Sequence, residues 1–125
     1  MSRICAIVGA GEGLGAAIAA RFSREGFDLA LVSRTETGSA VARDAALVAR
    51  PSAAVNFHPG DATDPVSIAQ ALTAQADRMG PIDALVYNVR GAFTQCDPLD
   101  MTADALETVF RQEVVGAFAA AKAVL

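Results

Sequence analysis

The chain alternates between short apolar runs and longer segments in which apolar residues recur every three or four positions. The short runs predict four β-strands, at 4–8, 29–32, 53–57 and 82–87. The longer segments predict four helices, at 13–25, 35–50, 64–79 and 103–125. Short strands that are apolar on both faces are typical of a parallel sheet covered by helices on each side. The pattern therefore predicts a doubly wound α/β fold with three layers, α/β/α.

The predicted helices carry polar or glycine signals at their ends and apolar positions on one face. Asp64 and Thr102 are expected to cap the third and fourth helices, because their side chains accept hydrogen bonds from free N–H groups. Gly26 is expected to end the first helix in a left-handed conformation, and Gly80 to stop the third. Segment 91–101 is predicted to be a loop. The faces predicted to be buried are Leu14, Ile18 and Phe22; Val41, Ala45 and Val48; and Ile68, Leu72, Ala76 and Met79.

The last predicted helix is apolar nearly all round from 114 to 125. A helix that is apolar on all sides expects neighbours on all sides. The fourth strand is also expected to leave an open apolar edge. Two interpretations stay open: the chain is the first half of a longer protein, or it buries these surfaces by self-association.

The composition excludes several classes of function. The 125 residues are 53% hydrophobic and carry a formal net charge of −4. This is one domain with a core, and its charge has the wrong sign for non-specific nucleic-acid binding. The longest uncharged run, 65–76, is shorter than the roughly 20 residues that a spanning helix needs. We therefore expect neither a nucleic-acid nor a membrane partner.

The cysteine and histidine content predicts no metal site. Cys5 lies in an apolar run and is interpreted as a core residue, and Cys96 is too far along the chain to form a Cys-x-x-Cys pair with it. His58 is the only histidine and is interpreted as a solvated loop residue. We expect a reduced, cytoplasmic protein.

A glycine-rich segment joins the first predicted strand to the first predicted helix, with the sequence Gly9-Ala10-Gly11-Glu12-Gly13-Leu14-Gly15. Glycines there let the chain turn sharply and let the backbone approach a phosphate closely. The helix that follows offers free N–H groups and a partial positive charge. A strand, a glycine loop and a helix in this order are the context that a dinucleotide site requires. The alternative is a tight turn that serves only helix packing.

The spacing of Gly9, Gly13 and Gly15 resembles the Gly-x-x-x-Gly-x-Gly loop of the short-chain dehydrogenase/reductase family. Val8 stands where that family usually has threonine. Segments 60–64, 83–88 and 116–118 are similar to further motifs of the family, in the same order. The resemblance implies a Rossmann-like fold, with 1–125 as an NAD(P)-binding domain that is the N-terminal portion of a longer one.

The resemblance also implies a set of cofactor-binding residues. Asp61 would bond to the adenine amine, with Ala62 beside it. The family's Asn-Asn-Ala-Gly segment falls on 87–90 or on 88–91. Arg90 stands where the family keeps a small residue near the cofactor, and it either contacts a phosphate or points outward. The implied set is Gly9, Gly11, Glu12, Gly13, Leu14, Gly15, Ser33, Arg34, Asp61, Ala62, Asn88 and Val89.

The end of the second strand bears on the choice of cofactor. An acidic residue there suits the ribose hydroxyl of NAD, whereas an arginine suits the 2′-phosphate of NADP. Ser33 adds no carboxylate, and Arg34 can form a bidentate contact with a phosphate. We predict NADP, with NAD as the alternative, since Glu12 stands where NADP-preferring members often have a basic residue. Arg34 as an ordinary solvated arginine is the other interpretation.

The Tyr-x-x-x-Lys pair that the family uses for catalysis is not among these residues. The only tyrosine and the only lysine are Tyr87 and Lys122, which cannot form that pair. Counting back from Gly116 places Glu113 at the position of the family's helix asparagine, either as a water-binding carboxylate or as an exposed helical glutamate. No catalytic residue is assigned, and these 125 residues alone are expected to be inactive.

Three functions follow as hypotheses. The first is an NADP-dependent oxidoreductase that transfers a hydride between nicotinamide and a small carbonyl or alcohol substrate, with this chain as its cofactor-binding half. By resemblance, it would form a homo-oligomer through the C-terminal helix. The second is a dinucleotide-binding module without catalysis. The third is an oligomerisation domain whose glycine loop is only a turn.

Overall fold

The computed structural model describes residues 2–91 and 95–125, and it contains one parallel sheet of four strands. The strands are β1 (Arg3–Val8), β2 (Phe27–Ser33), β3 (Val55–Pro59) and β4 (Ala84–Tyr87). Their order across the sheet is β3-β2-β1-β4, and all neighbours are parallel. The four predicted strands are confirmed, with ends that differ by up to two residues. The order places β1 in the centre, where its carboxyl end is flanked by those of β2 and β4.

The helices follow the predicted alternation with the strands. They are α1 (Leu14–Arg24), α2 (Glu36–Ala49), α3 (Pro65–Met79), α4 (Ala103–Phe110) and α5 (Gly116–Val124). A π-helical segment, Arg111–Val115, joins α4 to α5. The side chains of Asp64 and Thr102 cap α3 and α4, as predicted. Part of the predicted loop 91–101, residues 92–94, lies outside the described residues, and Pro98–Asp100 forms a 3₁₀ turn.

The sheet has a separate core on each face, which confirms the three-layer, doubly wound, Rossmann-like fold. One core packs α1 and α2 against alternate residues of the central strands. The other packs α3 and α5 against the remaining residues of the same strands. The first core includes Cys5, Ile7, Leu29, Leu31, Ala19 and Ala46, and the second includes Ala6, Val8, Ala30, Val32, Ile68, Leu72 and Ala120. Strands buried on both faces explain why their sequences are uninterrupted apolar runs.

The predicted inner faces of the first two helices are wrong in part. Leu14, Val41 and Val48 are exposed, with 65%, 47% and 84% of their surface accessible. The positions buried instead are small: Gly15, Ala16, Ala19 and Ser23 of α1, and Ser39, Ala42 and Ala46 of α2. The two helices pack against each other as well as on the sheet, and the Ser23 hydroxyl donates to the Ala46 carbonyl at 2.7 Å. Small side chains permit this approach, whereas valines would hold the helices apart.

Two predictions, about His58 and Cys5, have definite outcomes. His58 is a half-buried residue of β3, so its assignment to a loop was wrong. Cys5 is buried, as predicted, and burial raises the pKa of its thiol to about 12. Within the described part of the chain, no group of three His, Cys, Asp or Glu side chains could hold a metal ion. In the same residues, no helix is long and apolar enough to cross a bilayer.

The C-terminal helices bury only one side. Gly116 and Ala120 of α5 are buried, whereas a stripe at four-residue spacing along the α4–α5 helices is exposed. We call this the outer stripe, and its members are Leu106, Phe110, Val114 and Phe118. Two members of the outer stripe, Val114 and Phe118, lie in the segment 114–125 that was predicted to need further neighbours.

Candidate functional site

The carboxyl end of β1 makes a tight turn that only glycine accommodates at its first position. Gly9 has a φ of +84°, and its N–H donates to the carbonyl of Val32 on β2 at 2.9 Å. A Cβ at Gly9 would overlap the backbone carbonyl of Asn88, coming within 2.7 Å of its carbon. The turn at the end of β1 therefore packs directly on the backbone that follows β4.

The other glycines of the loop divide into packing and open positions. Gly15 lies under the turn, where a Cβ would sit 3.1 Å from the Gly9 carbonyl oxygen. At Gly11 and Gly13, a Cβ would meet no described atom within 4 Å. Gly13, the N-cap residue just before α1, supplies no side-chain cap, and the first turn of α1 contains no acidic residue. The loop thus leaves space and uncapped N–H groups at a helix N-terminus, an arrangement that suits an anion.

The end of β2 carries the predicted Ser33 and Arg34. The Ser33 hydroxyl donates to the carbonyl of Thr35 at 2.8 Å, and it lies 2.7 Å from the hydroxyl of Ser39. Ser33 therefore holds the start of α2 against the strand end. Arg34 is exposed beside this turn, and its charge acts on Asp61 at the end of β3.

Asp61 is held in a hydrogen-bonded turn after β3. Its Oδ1 accepts from the backbone N–H of Thr63 at 2.9 Å and from the Thr63 hydroxyl at 2.7 Å. These hydrogen bonds, together with the Arg34 charge, hold the pKa of the Asp61 carboxyl below its usual range. The side chain is therefore an anion at neutral pH, with a fixed orientation.

Asn88 connects the end of β4 to the glycine loop. Its backbone N–H donates to the Val8 carbonyl at 2.8 Å, and its side-chain amide donates to the Gly9 carbonyl at 3.4 Å. Val89 and Arg90 follow on the same side of the sheet and line the same cleft as Asn88. The sequence left open whether the family's Asn-Asn-Ala-Gly segment falls on 87–90 or on 88–91. Both registers include Asn88, and Asn88 contacts the glycine loop.

The π-helical segment contacts two of these strand ends through three successive residues. Arg111 donates from Nε to the Thr63 carbonyl at 2.9 Å. The Gln112 carbonyl accepts a short hydrogen bond from the Tyr87 hydroxyl. Glu113 accepts from the buried backbone N–H of Gly91 through Oε1 at 2.9 Å. Among helix irregularities, π-helical turns occur frequently at functional sites.

Tyr87 and Glu113 therefore have structural partners. Burial, and then the nearby Glu113 charge, raises the pKa of the Tyr87 hydroxyl, so it stays protonated and donates. Gly116 makes room for this contact, because a Cβ there would overlap the Tyr87 hydroxyl. Glu113 is exposed as a residue, but its carboxylate is bonded to the backbone after β4. Neither sequence interpretation of Glu113 included this hydrogen bond.

These strand ends surround a cleft of about 190 Å³. The predicted residues that line it are Gly9, Ser33, Arg34, Asp61, Ala62, Asn88 and Val89. The other five, Gly11, Glu12, Gly13, Leu14 and Gly15, lie in the adjoining loop and the start of α1 and do not line it. Sequence reasoning did not assign Gly60 or Gln112 and left Arg90 open. The Gln112 side-chain oxygen is buried without a hydrogen-bond partner among the described residues.

A second cavity, of about 300 Å³, lies between α2 and β3. Its charged residues, Glu36 and Arg43, face each other at 3.8 Å. It is remote from the glycine loop, which is at the centre of the sheet. The cleft over β1 is therefore the better candidate for a nucleotide site, since ligands of open α/β sheets bind at the carboxyl ends of the strands.

A parallel sheet with a glycine loop between its central strand and the next helix is the framework of dinucleotide-binding α/β proteins. The chain belongs to the short chain dehydrogenase family, whose sequence model matches residues 3–125. This confirms the resemblance inferred from the glycine spacing.

Individual relatives match almost the whole chain. Levodione reductase of Leifsonia aquatica is 31% identical over 123 residues, which are 98% of this chain and 46% of that protein. The crystal structure of levodione reductase superposes with a TM-score of 0.88, covering 98% of this chain and 47% of its own. A blue fluorescent protein from a metagenomic library, solved in complex with NADPH, is 26% identical with a TM-score of 0.84, covering 98% and 49%. The chain thus spans about half the length of the relatives it matches.

Proposed function

We propose that this chain is the NADP(H)-binding part of an oxidoreductase that acts on a small carbonyl or alcohol substrate. The observation that carries the proposal is the cleft over β1. At this cleft, an open glycine loop adjoins the carboxyl end of β2, where Ser33 and Arg34 stand and no carboxylate is present. The NADPH present in the complex of one structural relative supports the same class of cofactor.

The residues present fit such a cofactor. Gly11 and Gly13 leave the space that a pyrophosphate needs, and the N-terminus of α1 supplies N–H donors and a partial positive charge. Arg34 is placed to bind the 2′-phosphate, because a guanidinium matches phosphate geometry with two parallel hydrogen bonds. Glu12 lies in the exposed part of this loop and is the one residue that opposes an anion there.

Four of the remaining predicted residues line the cleft after β3 and β4. Asp61, with Ala62 beside it, accepts a hydrogen bond from the adenine amine through a carboxylate whose orientation Thr63 fixes. Asn88 and Val89 line the cleft on the β4 side. When bound, the nicotinamide supplies or accepts the hydride.

Proton transfer to or from the substrate is proposed to use residues outside 1–125, in a longer domain of which this chain is the N-terminal portion. Tyr87 donates its hydroxyl to the Gln112 carbonyl, and Lys122 is on the exposed side of α5. We further propose a homo-oligomer that forms through the outer stripe. A cytoplasmic location stays a prediction.

Isothermal titration with NADPH and NADH tests the cofactor assignment. We expect the protein to bind NADPH more tightly than NADH. Arg34→Ala should weaken NADPH binding by roughly 10- to 100-fold, the range of a charged hydrogen-bonded contact, and change NADH binding by less than about threefold. Arg24→Ala, an exposed arginine in the last turn of α1, is the matched control and should change neither. Equal losses for both dinucleotides in Arg34→Ala would contradict the NADP assignment. NADPH binding without turnover in the complete protein would favour the non-catalytic binding module.

A further inference from the structure

The cleft has a second arginine, on the side opposite Arg34. Val8, the last residue of β1, pairs with Val32 of β2 and with Tyr87 of β4. Arg34 follows Val32 by two residues and Arg90 follows Tyr87 by three. Both line the cleft. Since adjacent strands are about 4.8 Å apart, the two arginines leave the sheet from strands separated by about 10 Å, with the glycine loop between them.

The side chains that line this cleft have a different balance of charges from the protein as a whole. The chain has a formal net charge of −4. The charged residues that line the cleft are Arg34, Arg90 and Asp61, two cations and one anion. A lining with more cations than anions favours an anionic ligand, although Glu12 in the adjoining loop opposes one.

The two arginines have different neighbours, so they are expected to contact different parts of the ligand. Arg34 acts on Asp61, on the side where the adenosine is proposed to bind. Arg90 is two residues after Asn88, whose backbone and side chain both contact the first glycine of the loop. Arg90 therefore lies on the β4 side of the glycine loop, over which the pyrophosphate is proposed.

We infer that Arg90 is a second phosphate-binding residue, which contacts the pyrophosphate that NADPH and NADH share, while Arg34 reads the 2′-phosphate that only NADPH carries. The inference rests on the proposed function. On this inference, Arg90 contributes to the affinity for both NADPH and NADH, whereas Arg34 determines the preference between the two. A guanidinium that contacts a phosphate makes charge-assisted hydrogen bonds, and these lose strength when the charge is removed.

The test is a set of titrations with NADPH, NADH and ADP-ribose, which contains the pyrophosphate without the nicotinamide or the 2′-phosphate. Arg90→Gln should weaken all three by a similar factor of roughly tenfold or more, and Arg90→Lys should recover part of the loss. Arg34→Gln should weaken only NADPH. Arg78→Gln, which removes the same charge from the exposed last turn of α3, should change none of them. The Arg90→Gln loss should also shrink at about 0.5 M salt, because phosphate attraction is screened.

The outcomes separate the two proposals. If the unaltered protein binds NADPH and Arg90→Gln binds all three ligands within about twofold of it, the inference is wrong and the proposed function stands. If Arg90→Gln weakens NADPH alone, Arg90 reads the 2′-phosphate and the division between the two arginines is wrong. If the unaltered protein binds no dinucleotide, both proposals are wrong. Thermal unfolding of each variant followed by circular dichroism shows whether a loss comes from misfolding.

Discussion

Replacing Gly9 with alanine tests the close contact on which the cleft is built. Two costs add at this position. An L-residue with a φ of +84° costs about 1–2 kcal/mol, because its Cβ approaches its own backbone. The new methyl group would also lie 2.7 Å from the Asn88 carbonyl carbon and 3.0 Å from the Val89 nitrogen. These are backbone atoms at the end of β4, so relief requires the strand to move, at a cost of about 1–3 kcal/mol.

The expected total is a loss of about 2–5 kcal/mol in the free energy of unfolding. Gly26→Ala is the matched control, because Gly26 has a φ of +88° and a Cβ there would meet no described atom within 4 Å. It should lose only the conformational part, about 1–2 kcal/mol. Urea unfolding followed by circular dichroism measures both. If Gly9→Ala and Gly26→Ala lose the same stability within about 0.5 kcal/mol, the contact with Asn88 does not constrain the turn.

Three further predictions concern the contacts around the site and the surface. Glu113→Ala should lower the free energy of unfolding in urea by about 1–3 kcal/mol, because the Gly91 N–H loses its acceptor. Glu113→Gln keeps an acceptor oxygen and should lower it much less, so equal losses in the two variants would refute this role. Burial acts against ionisation of Asp28, but hydrogen bonds from Arg50 and a backbone N–H outweigh it and lower the pKa of its carboxyl. The stabilisation from ionised Asp28 is therefore complete above the pKa of the unfolded chain, about 3.8, and is lost as the pH falls through the lower pKa of the folded protein. The difference in unfolding free energy between the parent protein and Asp28→Asn should shrink below pH 3.8. A difference that stays constant with pH would contradict this role of Asp28. Phe118→Ser, in the outer stripe, should reduce the sedimenting mass without lowering stability by more than about 0.5 kcal/mol, and an unchanged mass would contradict oligomerisation through this surface.

The strands and the glycine loop were predictable because their signals are local. Each central strand is buried on both faces, so its apolar run stands out. Gly9 is required by its φ of +84° and Gly15 by its contact with the Gly9 carbonyl, both within the strand–loop–helix unit. The spacing of three glycines, together with the segments that follow later strands, was enough to indicate the family.

The inner faces of α1 and α2 could not be predicted from the spacing of large apolar residues. In α2, alanine and serine occupy the contact and Val41 and Val48 face outward, so the largest side chains indicate the wrong side. The position of His58 in β3 was missed because the strand continues beyond its apolar residues.

The contacts of the π-helical segment are also invisible in the sequence. Glu113 reaches Gly91 only because the helix widens by one residue per turn at this place and the end of β4 lies against it. The same tertiary arrangement brings Gln112 to the cleft and gives Tyr87 its partner. A short-range sequence pattern does not specify which residues of a helix face a strand that precedes it by more than twenty residues.

The most direct test of the cofactor site is a crystal structure of the protein grown with NADPH. The expected result places the pyrophosphate over the loop from Gly9 to Gly15, the 2′-phosphate against Arg34 and the adenine beside Asp61. A structure in which NADPH binds elsewhere, for example in the cavity between α2 and β3, would contradict the assignment of the cleft over β1.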